Sequence, residues 1–480
     1  MAAAAGFLLA LVVWPAYSSF VPGARAASPA RLDPTFGESG RVVLPPGSAA
    51  GNVTSALMPD DGLLIGSGRS LLRLTPDGQI DKSFGQWGTS TLPAPAGGDF
   101  EIDGLAVDSK GRIVVAGTSF LPEEDFSSAV SFGNGTEDGP EAARVMRYLG
   151  DGALDPSFGA GGIVETDLGL PAPRDKTGQQ ILSKPWVEVS GVAVDSKDRV
   201  LLTGGASAGV EFGCFHDWNF NTLTYAAFVA RLTETGVLDP SFAGDGVAGG
   251  SSVRENPLHT EGSVERGVGP GDELIYESGG THCWDKAGSS GLVRLGSTGD
   301  LSPSFGTDGV VRGMGEVVVR ADGAMVSHGF VSPWYFPKEA ARIRVDRLRP
   351  NGRPNRIFGR GGEVVVKSPG GAGSILGAAV MDARGRVLLG GTMISGNARR
   401  RGSSGQEEKQ RRRSFVLVRL GARGRIDRAF GPHGRIATGF GALGVAGLHL
   451  MLDSQGRAVM VGVYGSKDRG LALARYVIGR

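Results

Sequence analysis

Leu154-Asp155-Pro156-Ser157-Phe158-Gly159 is the stretch on which the fold turns, because the chain repeats it. The string reads Leu32-Asp33-Pro34-Thr35-Phe36-Gly37 near the start and Leu238-Asp239-Pro240-Ser241-Phe242 further on. Looser copies are Ile80-Asp81-Lys82-Ser83-Phe84-Gly85, Leu301-Ser302-Pro303-Ser304-Phe305-Gly306, Pro354-Asn355-Arg356-Ile357-Phe358-Gly359 and Ile426-Asp427-Arg428-Ala429-Phe430-Gly431. The seven phenylalanines fall at intervals of 48, 74, 84, 63, 53 and 72. Self-similarity on this scale decides an architecture before any single residue does.

Two further strings recur between these anchors. One is Ala106-Val107-Asp108-Ser109-Lys110-Gly111-Arg112-Ile113-Val114-Val115-Ala116-Gly117, with relatives beginning near Ala193, Val318, Val380 and Met451 and weaker ones at Ala56 and Gly267. Apolar runs on both sides of a glycine-bearing polar turn predict a β-hairpin. The other ends in Arg73-Leu74, Arg147-Tyr148, Arg231-Leu232, Arg294-Leu295, Arg347-Leu348, Arg419-Leu420 or Arg475-Tyr476. Each unit therefore offers four strands: A and B in the hairpin, C ending in arginine, and D after the Phe-Gly segment. Four antiparallel strands per unit, with a shortest unit of 48 residues, match a propeller blade of ~40–50 residues. Solenoid repeats are shorter and more regular in length. The fold expected is all-β, a seven-bladed β-propeller with four-stranded antiparallel blades.

The chain opens in phase on a D segment and ends on a C strand. Ring closure resolves both: Arg41–Leu44 pairs beside Leu471–Tyr476, so that the last blade is built from about residues 443–480 plus 32–44. Closure also removes sheet edges that invite aggregation. The L-D-P-S-F-G string, with Ala106-Val107-Asp108-Ser109-Lys110-Gly111-Arg112 and Phe415-Val416-Leu417-Val418-Arg419-Leu420, resembles the delta-60 repeat family and, more distantly, NHL-type propellers. The resemblance spans about residues 32–480. It implies a propeller in a secreted or surface protein and brings no catalytic residues with it. Copies five and six depart from the L-D-P-S pattern.

Composition agrees. Glycine supplies 80 of 480 residues, against an ordinary share of ~7%, as many tight turns require. The net charge is +1, which removes a broad electrostatic case for nucleic acid. Residues 1–26 read as a secretory signal peptide: an apolar run with Phe7, Leu8, Leu9, Leu11, Val12 and Val13 precedes Ala24-Arg25-Ala26. The run lacks a basic residue before it and is shorter than the ~20 residues of a membrane span. No other stretch predicts a transmembrane segment. Residues 27–480 are then one propeller, expected as a secreted or cell-surface monomer.

The seven phenylalanines are expected to pack blade on blade, since a residue present in every unit serves what every unit needs. The strand C arginine precedes the D-segment aspartate by eight positions in Arg73/Asp81, Arg147/Asp155, Arg231/Asp239 and Arg419/Asp427. The same offset sets Arg294 against Ser302 and Arg347 against Asn355, and ring closure sets Arg475 against Asp33. A repeated charge-assisted pair follows from this. The Asp-Ser-Lys-Gly turns lack the acidic ligands of a calcium loop and read as plain hairpin turns.

Function is sought in the B–C loops and D–A linkers, which emerge on one face. Acidic Glu123–Glu141 and basic Arg399–Arg413 read as solvated charge runs. The B–C loops of blades 3, 4 and 5 hold Phe215-His216-Asp217-Trp218, His282 with Trp284, and Trp334-Tyr335-Phe336. Loops normally avoid large aromatics, so these nine residues are the candidate ligand site. The other reading is that the loops fold down and bury the rings. No H-E-x-x-H, G-x-S-x-G, Walker A loop or C-x-x-C is present, and no cofactor or catalytic residue is expected.

Two function classes follow. The first is a non-enzymatic binding or scaffold module for a glycan, peptide or envelope component. The second is a propeller hydrolase or lyase using carboxylates or His216 and His282; the missing motifs favour the first. Cys214 and Cys283 fall in equivalent loops of neighbouring blades, and an even cysteine count in an exported chain favours a disulfide. A metal site with His216 and His282, too tightly spaced for ordinary zinc, and two buried thiols are the alternatives.

Overall fold

The computed structural model describes residues 29–96, 98–120, 140–172, 174, 178, 185–212, 221–249, 266–278, 291–330, 341–371, 373–395 and 412–479. Seven antiparallel sheets follow one another along the chain. Strand A is Val53–Leu57, Asp99–Val107, Val187–Val194, Arg266–Val268, Glu316–Val319, Ile375–Met381 and Val445–Leu452 in blades 1 to 7. Strand B is Leu63–Ser67, Ile113–Phe120, Val200–Phe212, Leu274–Ser278, Met325–Phe330, Val387–Ser395 and Ala458–Tyr464. Strand C is Ser70–Leu74, Pro140–Tyr148, Asn221–Leu232, Gly291–Leu295, Arg342–Leu348, Arg412–Leu420 and Gly470–Val477. Strand D is Thr89–Thr91, Ile163–Thr166, Val247–Gly249, Val310–Arg312, Glu363–Lys367 and Arg435–Thr438 in blades 1 to 6.

The N-terminus completes blade 7. Val42 pairs with Leu473 and Val43 with Ala472, and Arg31–Leu32 extends the same edge opposite Val477 and Tyr476. Each strand A lies beside the strand A of the next blade, and the A strands of blades 7 and 1 complete the circle. The protein is a seven-bladed β-propeller with strand A innermost.

The repeated string explains the packing. All seven anchors, Phe36, Phe84, Phe158, Phe242, Phe305, Phe358 and Phe430, are at most 1% exposed. Each sits in its own apolar cluster, and the seven clusters are the seven blade interfaces. Phe158, for example, packs between Ala143 and Val145 of blade 2 and Val200 and Leu232 of blade 3. A glycine of the next blade's C–D turn lies over the rings of Phe36, Phe84, Phe158, Phe242 and Phe305. At Gly152, with φ 89°, a Cβ would lie 2.9 Å from the Gly85 nitrogen and 3.0 Å from the Phe84 ring.

The strand C arginine and the aspartate of the string form the hub of five of the seven interfaces. Asp155 Oδ1 accepts the Ser157 N–H at 3.0 Å and its hydroxyl at 2.7 Å, closing the turn that Pro156 prepares. Its Oδ2 accepts Arg147 Nε at 2.7 Å, and the guanidinium lies 4.6 Å from the Phe158 ring centre. The expected pairs form at Arg73–Asp81 (3.2 Å), Arg231–Asp239 (2.8 Å), Arg419–Asp427 (2.8 Å) and, across the seam, Arg475–Asp33 (2.9 Å). Arg294 instead meets Glu273 of its own blade's A–B turn, and Arg347 donates to the Gly385 carbonyl at 3.0 Å. Ser302 and Asn355 carry no charge with which to hold a guanidinium.

The same arginines reach the next blade. Nη1 of Arg73 donates to the Gly150 carbonyl at 2.7 Å, that of Arg294 to Pro350 at 2.7 Å and that of Arg347 to Ala422 at 2.9 Å. Arg147, Arg231, Arg419 and Arg475 do the same to Glu234, Ser297, Ile478 and Pro76. The last of these joins blade 7 to blade 1, so one contact type runs round the entire ring.

The hairpin turns do more than reverse the chain. Ser109 of blade 2 donates its N–H and hydroxyl to Asp198 of blade 3, both at 2.9 Å. Ser196 binds Asp272 and Ser454 binds Asp61 in the same way. These three aspartates hold left-handed φ values of 59°, 61° and 65°, where other blades use glycine. Among the described residues no helix is long and apolar enough to cross a membrane.

Candidate functional site

Strands that run up and down in order place the A–B and C–D turns on one face and the B–C and D–A connections on the other. On this loop face blade 3 differs from its neighbours. Its strands B and C span 13 and 12 residues. Strand A pairs with strand B only as far as Ala206, and strand D pairs with strand C only from Ala230 to Phe228. Beyond that the two strands pair with each other, from Ser207↔Tyr225 through a bulge to Phe212↔Asn221. At ~3.3 Å per residue this ribbon is roughly 20 Å long.

Cys214, Phe215, His216, Asp217 and Trp218 lie in the connection at the tip of this ribbon, outside the described residues. His282, Cys283 and Trp284 lie between Ser278 and Gly291 of blade 4, and Trp334, Tyr335 and Phe336 between Phe330 and Arg342 of blade 5, again outside the described residues. The described strand ends that flank these three connections lie on one face. Phe330, the last residue of blade 5 strand B, is 44% exposed at the entrance to its loop. It is an aromatic of the loop face that motif reading passes over, because it belongs to a strand.

Other polar groups sit at the loop-face ends of the blades. In blade 2, Asp99 and Glu101 are exposed on the innermost strand, and a bulge turns Asp103 toward Thr118. The Thr118 hydroxyl donates to Asp103 at 3.2 Å and accepts the Val189 N–H of blade 3 at 3.0 Å. Glu188 is exposed on the innermost strand of blade 3. Arg144 binds Glu165. Glu101 and Glu188 hold equivalent places in strand A, two residues before the bulged residue, and the Thr118 contact recurs where Thr392 of blade 6 accepts the Gly447 N–H of blade 7 at 3.0 Å. Among the described residues no group of three or more His, Cys, Asp or Glu is placed to hold a metal ion.

Blade 5 holds a buried histidine. Burial pushes His328 down to about 4, with Glu316 at 3.6 Å on the same face of the sheet. Burial also raises the Asp346 carboxyl, against Arg344 Nε at 2.7 Å. A histidine kept neutral in the fold binds a proton more readily when unfolded, so its contribution to stability is intact above pH 6.5. That contribution falls as pH drops from 6.5 toward 4. We expect denaturant titrations at pH 7 and pH 4 to differ by on the order of 3 kcal/mol from this group. His328→Gln should flatten most of that limb; an unchanged slope would show that His328 titrates normally.

The profile of a family described as Domain of unknown function (DUF5122) beta-propeller matches residues 131–158, which take in strand C of blade 2 and its Phe158 anchor. The fold and this match together support a propeller family of unknown function. No curated protein matches the chain. Among solved structures the chain is similar to a protein of unknown function from Dyadobacter fermentans, at 11% identity and TM-score 0.39, covering 94% of this chain and 99% of that one. It is similar to the polysaccharide lyase Uly1 at 9% identity and TM-score 0.44, covering 96% and 94% of the two chains. It is also similar to the NanB sialidase from Streptococcus pneumoniae at 10% identity and TM-score 0.37, covering 91% and 70%. These likenesses carry nothing about the chemistry of this chain.

Proposed function

We propose that the chain is an exported, non-enzymatic binding module of the delta-60 type, which takes up a glycan, a peptide or an envelope component on its loop face. In this reading residues 1–26 are removed on export, and residues 27–480 act as a monomeric ring at the cell surface or outside the cell. The observation that carries it is the blade 3 ribbon, whose two strands continue past their neighbours in the blade and pair only with each other as far as Phe212 and Asn221, the residues that flank the aromatic segment in sequence. A paired ribbon positions its tip at low entropic cost, which is what a binding arm needs.

Replacing residues 208–224 by Asn-Gly, a favoured two-residue hairpin turn, tests this. The melting temperature is expected to stay within about 3 °C, because along its paired length the ribbon shares no ladder with strands A and D of its blade. Sedimentation with purified cell-envelope fragments is expected to fall to background. Retained binding would remove the arm from the account. Polysaccharide turnover abolished by His216→Ala would replace the binding module with an enzyme.

We further propose a Cys214–Cys283 disulfide that ties the ribbon tip to the blade 4 connection. It would close a loop of about 70 residues, contributing roughly 3–4 kcal/mol in the chain-entropy model. Mass spectrometry of a non-reduced digest should find the two cysteine peptides joined. Two alkylatable thiols would contradict the bridge.

A further inference from the structure

Trp87 is 79% exposed and sits at φ 56°, in the turn between Phe84 and strand D of blade 1. Both features are unfavourable for tryptophan: a left-handed backbone suits glycine, asparagine or aspartate, and an exposed indole forgoes its burial. The other repeats act as an internal control. Ser39, Gly161, Asp308, Gly361 and His433 hold the same left-handed place in their turns, and blade 3 has Asp245 at that sequence position. The fold therefore closes this turn without an aromatic residue, and Trp87 serves something that only blade 1 does.

The turn is fixed on every side. Gln86 N–H donates to Thr89 O at 2.7 Å, Gly88 N–H to Phe84 O at 2.8 Å, and Gly85 N–H to Asp151 O of blade 2 at 2.7 Å. The indole is thus presented on a preformed platform. In the same turn and the segment that leads into it, Lys82, Ser83 and Gln86 are exposed and polar, and Ile80 is a small apolar residue 43% exposed. A stable protein interface needs about 800 Å² per partner with a contiguous apolar centre, which one ring in a polar surround does not supply. A sugar ring does match: one face of a pyranose bears C–H groups that lie on the electron-rich indole face, while its hydroxyls meet amide, ammonium and hydroxyl side chains.

We propose that Trp87 is the stacking platform of a carbohydrate site on the turn face, at the outer edge of blade 1 and on the opposite side of the ring from the loops. This site does not depend on the loop-face reading. The probes are cellohexaose, chitohexaose and maltohexaose, each titrated into the full chain by saturation-transfer NMR and calorimetry. The wild type is expected to bind at least one, with saturation passing to the ring C–H protons. Trp87→Asp, which installs the residue type that blade 4 uses at this turn, is expected to weaken binding at least tenfold with no fall in melting temperature. Ile357→Ala, at a residue 66% exposed beside the Phe358 anchor of blade 5, is expected to leave the affinity unchanged. The proposal is overturned if the wild type binds none of the three, if Trp87→Asp binds as tightly as wild type, or if gel filtration shows a dimer that Trp87→Asp dissociates. Failure of the loop-face reading would be seen separately, in the ribbon replacement.

Discussion

Removal of residues 27–45 is expected to lower the melting temperature of the whole ring by about 6–10 °C, not to trim a tail. The segment carries Phe36, 1% exposed at the interface of blades 7 and 1, and deleting a buried phenylalanine costs about 3–5 kcal/mol. It carries Asp33, the partner of Arg475, whose side chain is 3% exposed. An arginine left buried without its counter-ion costs about 3–5 kcal/mol more. It also exposes the outer edge of Gly470–Val477. Several kcal/mol in a domain of this size correspond to a shift of this order. Differential scanning calorimetry of the shortened chain checks it, and an unchanged transition would separate the segment from the ring.

Arg147→Met is expected to destabilise the protein by about 3–5 kcal/mol in urea denaturation. Burial alone would raise the Asp155 carboxyl, but the Ser157 hydrogen bonds and the Arg147 charge hold it below the ordinary aspartate value. Without Arg147 that carboxylate stays buried, with the Arg112 guanidinium 3.8 Å away. The stabilisation from a depressed carboxyl is intact above pH 3.8 and is lost as pH falls through the lowered folded value. The gap between variant and wild type should therefore narrow in acid. Arg147→Met combined with Asp155→Asn should recover part of the loss, because the uncompensated charge is what costs. Arg73→Met, at a hub whose arginine side chain is 15% exposed, should cost less. Equal losses at the two sites would show that the ion pair is not the source of the effect.

The ring was legible because each blade repeats the same physical problem. Phenylalanine, aspartate and arginine recur at fixed offsets since each interface needs a ring, a turn and a charge to bind both. The offset rule fails at Arg294 and Arg347, where the eighth residue is Ser302 or Asn355 and the guanidinium turns elsewhere. What the sequence could not disclose is the reach into the next blade. Arg147 and Glu234 meet through a backbone carbonyl, and a carbonyl belongs to every residue alike. The left-handed Asp61, Asp198 and Asp272 escaped for a related reason: each stands where other blades have glycine and looks like a lost motif, whereas it accepts a serine from the preceding blade.

The candidate site was legible only as composition. Aromatics in the loops of blades 3 to 5 stand out against a polar background, but a loop found in one blade has no copy to test it against. Register supplied what composition could not: strands B and C of blade 3 continue to Phe212 and Asn221, so a segment that reads as an insertion is the end of a ribbon. Trp87 is the reverse case. It lies inside the repeat, and the repeat itself marks it as foreign.

Closure of the ring by the N-terminal strand is tested most directly by a cross-link. Val43 and Ala472 are opposed in register, in a non-hydrogen-bonded pair of the kind whose Cβ atoms approach to about 4.5–5.5 Å. Val43→Cys with Ala472→Cys, made in a Cys214→Ser, Cys283→Ser background, should oxidise to an intramolecular disulfide, read as a joined peptide in a non-reduced digest of monomeric protein. Two free thiols, or a bridge found only between separate chains, would contradict a ring sealed by its own first strand.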